Sequence, residues 1–457
     1  MSAATHDFVS FALSQRKSEF PERARSMAVD AITDLLGCMI AGAGEPIAAK
    51  LDRIIGEATD RPGIPAVPLA ISNRKAAPHD SALFNGTLAH AIDYDDVTHP
   101  AYAHAGASLV PAILATARIS GASGREALTA YILGIEMVSK LGRALNTAHY
   151  KNGWHASASF GTLGAAVAAA SMIRLEAEPF AMALGMAASA AGGLRANFGT
   201  MTKPLHAGYA ARNGVLAALM GREGVTASVD VLENGYGFAE VFNHHGDIDV
   251  SQFKAWGNPL EILTEFGLGL KPYPACGAAH PPIEAALRLR ERIGGDLSVI
   301  EEIRVGVTEM HFEPMVYDIA TNGLEAKFCM GYCIAAAFVD GDVTLETFED
   351  ISLSRINGSG FVKKVRMELD ERVKGNTEFG AVVTVTLSDG QKFEETVPLA
   401  LGKPERWFSK QKLESKFHDC CSGVIPGEKA ERVFNVAQTL GDAESLDTLL
   451  DVIQSGR

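Results

Sequence analysis

The chain has 457 residues, 47% hydrophobic and 21% charged, which suits two or three domains with a sizeable core and excludes general disorder. Asp and Glu total 55 against 41 Lys and Arg, a net charge of -14. That balance excludes nucleic acid as a partner, because phosphate neutralisation needs clustered cations. It leaves room for a small anionic carboxylate substrate, which needs only one local basic pocket.

Residues 5 to about 265 read as mostly helical. Phe8, Phe11 and Ala12 follow an i, i+3, i+4 pattern. Pro21 marks a first helical position, and Ala24, Ala28, Ala31, Ile32, Leu35 and Leu36 continue one apolar face. Arg125–Leu145 is a long amphipathic helix after the turn residues Gly121, Ser123 and Gly124. Ala156–Ile173 is the most apolar long segment. Its Ser157, Ser159, Thr162 and Ser171, with many Ala and Gly, mark a buried core helix rather than a membrane span. Small residues there and over Ala181–Ala191 predict helices that approach closely. Gly192-Gly193, Gly221, Gly235 and Gly237 read as loops.

The pattern changes near Lys271. Ile303, Val305 and Val307 alternate as in a half-buried strand, and so do Val365, Met367 and Leu369. Ala381–Leu387 and Lys392–Val397 flank Ser388-Asp389-Gly390, a hairpin signal. Helical stretches over Pro281–Ile293 and Ala326–Val339 lie between the strands. After Pro404 the helical period returns at Val433, Val436, Leu440, Leu446, Leu449 and Leu450. The expected fold is mostly α: a large all-helical domain plus a smaller α+β domain. Residues 1–268 form the first part of the helical domain, 269–402 the α+β domain, and 403–457 a tail that returns to the helices.

Met1–Ser10 lacks the basic start and apolar run of a signal peptide. Of the six cysteines only Cys329 and Cys333 have a spacing zinc could use, and no second pair completes a site. Adjacent Cys420-Cys421 is an awkward disulfide framework. A reduced, cytoplasmic enzyme without a metal is the expectation.

The richest chemistry lies in His90-Ala91-Ile92-Asp93-Tyr94-Asp95-Asp96-Val97-Thr98-His99-Pro100, with His104 beyond. Charged groups in apolar surroundings are costly unless paired, so this cluster reads as an acid–base site. The plainer reading is a solvated Asp-rich loop. Four further segments carry polar groups among small residues. Tyr150-Lys151-Asn152-Gly153-Trp154-His155 precedes the Ala-rich helix, where a His also serves as a cap. Gly199-Thr200-Met201-Thr202-Lys203-Pro204-Leu205-His206 places a Lys at a helix start, suited to carboxylate capture or to a surface turn. Lys271-Pro272-Tyr273-Pro274-Ala275-Cys276 stiffens the backbone around a Lys, in a site or in a linker. Glu325-Ala326-Lys327-Phe328 opens a helix with capping charges.

Taken together, four of these motifs in this order resemble the MmgE/PrpD family, which includes 2-methylcitrate dehydratases, cis-aconitate decarboxylases and iminodisuccinate epimerase. The resemblance covers nearly the whole chain. It implies a helical domain built from both ends of the chain, a smaller α+β domain, a homodimer, no cofactor and a site between the domains. It assigns Asp93, Thr98, His104, His155, Lys203 and Lys271 to that site. Three departures weigh against decarboxylation. Val97 intervenes before Thr98, His104-Ala105-Gly106 replaces His-Pro-Ser, and Cys276 stands where the decarboxylases carry His.

The shared chemical problem is removing a proton from carbon next to a carboxylate or imine carbon. Lys203, Lys271 and His155 are the expected carboxylate clamp, with Thr98, His206 and Cys276 also against the substrate. His104 is the expected base, with Asp93 orienting its ring and Tyr150 as a second acid/base. A 2-methylcitrate-dehydratase-like hydro-lyase is the first expectation, an iminodisuccinate-type epimerase the alternative, and a cis-aconitate-type decarboxylase the third. Two unrelated readings are weaker. A magnesium–diphosphate enzyme would need a second Asp-rich motif facing Asp93, Asp95 and Asp96, and a simple acid-binding protein would need no acid–base pair.

Overall fold

The protein's computed structural model describes residues 3–145, 148–243, 246–373 and 380–454. It is mostly helical, with a smaller part that carries a four-stranded sheet. The chain divides into two units, residues 1–270 with 409–457, and residues 271–408.

The first unit is built around the Ala-rich segment, which forms the helix Ala156–Met172 and is buried along nearly its whole length. Its small side chains let the helices Gly106–Ser120, Gly124–Leu145, Ala177–Ser189 and Thr202–Arg222 pack directly against it. Apart from a short antiparallel pairing of Val67-Pro68 with Lys75-Ala76, the described residues of this unit pair no strands. Gly221 is not a loop residue: it lies in the last turn of Thr202–Arg222. A Cβ there would come within 2.7 Å of the Pro179 carbonyl oxygen, so this glycine permits close helix approach instead of ending a helix. Among the described residues no single helix is long and apolar enough to cross a membrane.

The C-terminal helices Lys410–Cys421, Gly427–Gln438 and Asp447–Gln454 belong to this first unit. Lys410–Cys421 packs on Glu22–Gly42 and carries a cation into the core. The Lys416 ammonium lies 2.8 and 2.9 Å from the two oxygens of Asp34 and donates to the Tyr94 carbonyl at 2.8 Å. It also sits 4.0 Å above the Tyr94 ring. Burial pushes the Asp34 carboxyl up, to about 6, against the pull of Lys416, so the pair is ionised at neutral pH. The tail of the chain therefore grips the 92–96 loop from behind.

The second unit carries strands Val365–Leu369, Ile300–Val307, Ala381–Leu387 and Lys392–Val397, in that spatial order. The first pair is parallel and the other two are antiparallel. Gly390 sits at φ +85° in the hairpin turn, a conformation that favours glycine. The helices His280–Ile293 and Met330–Asp340 cover the sheet and close a core that includes Ile303, Val305, Val383 and Val385.

Breaking a buried pair by removing one partner strands the other charge, at a cost of about 3–5 kcal/mol. Lys416→Met is therefore expected to lower unfolding free energy by that order in urea titration at pH 7. A loss under about 1 kcal/mol would remove the pair from this role.

Candidate active site

The helix Pro78–Ala91 ends at the cluster. Ile92 caps it, and Asp93 follows at φ +56°, a left-handed conformation that Asp tolerates better than most residues. This turn swings the chain across the unit. Two backbone pairings then pin it: Val97 exchanges hydrogen bonds with Gly269, both 2.8 Å, and Thr98 donates to the Ala103 carbonyl at 2.7 Å. The extra residue Val97 is thus a backbone anchor. It leaves Thr98 fully buried, with its hydroxyl unpaired among the described residues.

Asp93, Asp95 and Asp96 are all buried. Asp93 accepts a hydrogen bond from the Lys203 ammonium at 2.8 Å. Lys203 reaches it from the second position of the helix Thr202–Arg222. Asp95 accepts from His90 Nδ1, which lies 3.0 and 2.9 Å from its two oxygens. Asp96 accepts from the Gly106 N–H at 3.1 Å, and burial, reinforced by Asp95, pushes its carboxyl up to about 8. A Cβ at Gly106 would lie 2.2 Å from Asp96 Oδ1, so the glycine of His104-Ala105-Gly106 is what admits that carboxyl.

His104 precedes the helix Gly106–Ser120. Its Nδ1 lies 2.9 Å from the Asp96 carbonyl oxygen. A carbonyl only accepts, so Nδ1 carries a proton, and in the neutral ring Nε2 presents a lone pair. Asp93 Oδ1 is 3.8 Å from that Nε2 and Asp95 Oδ2 is 3.5 Å from Nδ1. The ring thus donates to the Asp96 backbone carbonyl, and Asp93 accepts from Lys203.

His155 caps the helix Ala156–Met172 and faces His206, with the two Nδ1 atoms 2.9 Å apart. Burial, together with His90 and Lys203, holds His155 well below the usual imidazole range and His206 down at about 4. Both rings are neutral at pH 7, so His155 acts as a hydrogen-bonding group and not as a cation. The Phe198 ring lies 4.9 Å from His155 and 5.7 Å from the Lys203 ammonium. Tyr150 lies on the short helix Ala148–Lys151 beneath the Arg195 guanidinium, 3.8 Å from its ring centre, with the Tyr102 ring 5.2 Å away.

The first unit thus brings Asp93, His104, Lys203, His155 and His206 together, with Thr98 on the loop between them. Lys271 and Cys276 belong to the second unit; Lys271 is buried, and the Cys276 N–H donates to the Lys327 carbonyl at 3.0 Å. Sequence reasoning placed His90, Asp95 and Asp96 in the cluster without giving them a part in proton transfer, and it passed over Arg195 and Phe198. The five-residue step from His90 to Asp95, across a helix end, was the one local signal for that pair. One ligand atom from each of His90, Asp93, Asp95 and His104 would lie within 4.8 Å of the others, close enough to share an ion. The Lys203 ammonium already supplies positive charge to Asp93 there.

The Asp96 carboxyl sets a pH dependence. Folded, it keeps its proton up to about 8; its ordinary value is 3.8. The folded state thus holds a proton that the unfolded chain has lost, and stability falls as pH rises between those values, by about 1.4 kcal/mol per pH unit for one group. Asp96→Asn keeps an acceptor for Gly106 and carries no proton to lose. It should gain on the parent chain from pH 5 to pH 8 and run parallel above, in urea titrations. Identical pH dependence in both proteins would contradict a protonated Asp96.

Comparison with known proteins agrees with this arrangement of the chain. Residues 6–251 match the MmgE/PrpD N-terminal domain and residues 273–442 the MmgE/PrpD C-terminal domain. The chain is similar to the cis-aconitate decarboxylase of Homo sapiens, at 26% identity over 391 residues, 82% of this chain and 79% of that protein. It is also similar to the cis-aconitate decarboxylase of Aspergillus terreus, at 25% over 458 residues, 95% and 92% of the two chains. The cis-aconitate decarboxylase-like protein oryM of Aspergillus oryzae is 28% identical over 409 residues, covering 83% of each. With both domains matched in order along most of its length, the chain belongs to the MmgE/PrpD family.

Proposed function

We propose that this protein is a lyase that works without metal or cofactor, removing a proton from carbon next to a carboxylate in a small di- or tricarboxylic acid. The observation that carries the reading is the state of His104. Its Nδ1–H is committed to the Asp96 carbonyl, which leaves Nε2 as a base within 3.8 Å of Asp93. Asp93 in turn holds the Lys203 ammonium at 2.8 Å. A base and a cation are thus held on either side of Asp93, and proton abstraction beside a substrate carboxylate uses one group of each kind.

In this reading Lys203 binds the substrate carboxylate and stabilises the negative charge that grows on it as the proton leaves. Neutral His155 and the Thr98 hydroxyl add hydrogen bonds, and His206 holds the His155 ring through their shared proton. His104 Nε2 takes the proton, and Asp93 and Asp95 stabilise the imidazolium. Tyr150 is the acid that protonates a departing hydroxyl, which leaves as water. Lys271 and Cys276 are retained as substrate-binding candidates on their motif alone.

Within this class the reading is a hydro-lyase of the 2-methylcitrate dehydratase type. Decarboxylation is the second reading, favoured by the names of the relatives. Against it stand the departures from the decarboxylase motifs at Val97, at Ala105-Gly106 and at Cys276.

The test is proton NMR in deuterated water with 2-methylcitrate, cis-aconitate and iminodisuccinate, with and without a strong chelator. Alkene formation from 2-methylcitrate supports the dehydratase. Loss of carbon dioxide from cis-aconitate would replace it by the decarboxylase, and deuterium exchange without elimination by the epimerase. Activity lost to the chelator and restored only by magnesium or zinc would contradict the metal-free reading. His104→Gln should lower turnover about a hundredfold to ten-thousandfold while substrate still binds. Near-normal exchange in the folded variant would move the base to another residue.

A further inference from the structure

A second imidazole lies behind His104. His90, in the last turn of the helix Pro78–Ala91, is buried to 1% exposure and has no place in the chemistry described so far. Its Nδ1 faces both oxygens of Asp95, at 3.0 and 2.9 Å. An ionised carboxylate only accepts, so Nδ1 donates. Its Nε2 is buried and has no hydrogen-bond partner among the described residues. The His90 ring lies 4.5 Å from the His104 ring and 5.9 Å from the His155 ring, centre to centre. Asp95 is therefore shared: it takes a hydrogen bond from His90 and stands 3.5 Å from His104 Nδ1.

We propose that the His90–Asp95 pair is a positioning device for the base, in which the His90 N–H holds Asp95 beside His104 and limits how strongly that carboxylate attracts a proton to His104. The proposal rests on His104 being the base. His90 is a positioning residue: it is buried and acts through Asp95.

The charge around the two rings is supplied from several elements. The 92–98 loop contributes Asp93, Asp95 and Asp96. His155 lies at the start of Ala156–Met172, and Lys203 and His206 on Thr202–Arg222. Asp34 on Glu22–Gly42 and Lys416 on Lys410–Cys421 form the neutralised pair behind the loop. Lys203 offsets Asp93, and Lys416 offsets Asp34, whereas the donor seen on Asp95 is an imidazole N–H. Without that donor, the charge of Asp95, 3.5 Å from His104 Nδ1, acts on the base with less to offset it. A carboxylate hydrogen-bonded to an imidazole favours its charged form. The base would then stay protonated to higher pH.

The test is the pH profile of kcat/KM for substrate turnover or solvent-deuterium exchange, in His90→Leu, His90→Asn and Asp95→Asn. His90→Leu should move the acidic limb up by about one pH unit or more, with the rate at pH 6 falling more than at pH 9. His90→Asn places an amide donor where Nδ1 stood and should restore the limb. Asp95→Asn removes the charge and should move the limb down. A purely structural role would lower thermal stability and leave the limb in place. Should His90→Leu not fold, Asp95→Asn and His90→Asn still decide the matter. An unmoved limb in folded Asp95→Asn, or a limb displaced in His90→Asn, overturns the proposal. His104→Gln separates the two claims. Exchange that persists in His104→Gln removes the base reading itself, whereas a dead His104→Gln beside an unmoved limb in the other variants defeats the positioning role alone.

Discussion

Three carboxyl groups within four residues, all buried in an Ala-rich helical unit, are the constraint that shapes this site. An ionised carboxylate without a partner in such surroundings costs several kcal/mol. Each of the three is satisfied differently. Asp93 takes an ammonium from Lys203, Asp95 takes an imidazole N–H from His90, and Asp96 takes the Gly106 N–H and keeps its own proton. These solutions fix the identity of residues on three other segments. They also leave three chemically distinct groups within reach of one another: a carboxylate with a cation, a carboxylate with an imidazole, and a neutral acid whose backbone carbonyl holds His104.

Such a cluster needs a rigid frame, and the frame comes from distant parts of the chain. Lys416 reaches the Tyr94 carbonyl from the C-terminal helices. On the other side, Glu136 accepts from the Gly257 N–H at 2.7 Å and the Glu261 N–H at 2.8 Å. Glu261 is itself held by Arg143 at 2.8 Å and Lys140 at 3.1 Å. That network fixes the 257–264 segment, whose continuation receives the His99 N–H at Phe266 and pairs Gly269 with Val97. Buried charge pairs are poor sources of net stability, but breaking one is costly, so they hold a loop in one arrangement. Among the described residues the sheet-bearing unit buries Lys271, Lys327 and Lys403 and pairs Glu284 with Arg288 and Arg406, around its apolar core.

Much of the fold was legible because it is local. The alternation of Ile303, Val305 and Val307, the Ser388-Asp389-Gly390 turn and the small-residue run at 156–172 each fix an element within a few residues. Gly221 misled because a glycine that permits helix contact looks the same in sequence as one that ends a helix; the difference is the Pro179 carbonyl, 42 positions away in the chain. The site motifs stood out as unusual chemistry, and Asp93, His104 and Lys203 do meet. Their wiring was not legible. Lys203 lies 110 residues from Asp93 and Lys416 lies 382 residues from Asp34, and no local pattern encodes such pairings. The His104 ring also donates to the Asp96 backbone carbonyl, a contact with no signature in side-chain identity, while Asp93 stands 3.8 Å from its other nitrogen. His90 was in plain view, yet only its burial and its contact with Asp95 distinguish it from a helix-end cap.

The account turns on one proton: whether His104 carries it on Nδ1. Two-bond proton–nitrogen correlation spectra of the protein labelled with nitrogen-15 histidine report this directly, with the His104 signals assigned by their absence in His104→Gln. At pH 7 the account predicts a protonated Nδ1 and an unprotonated Nε2 for His104. A protonated Nε2 with a bare Nδ1 would contradict it, because the ring would then have no lone pair to offer on the side facing Asp93 and Lys203.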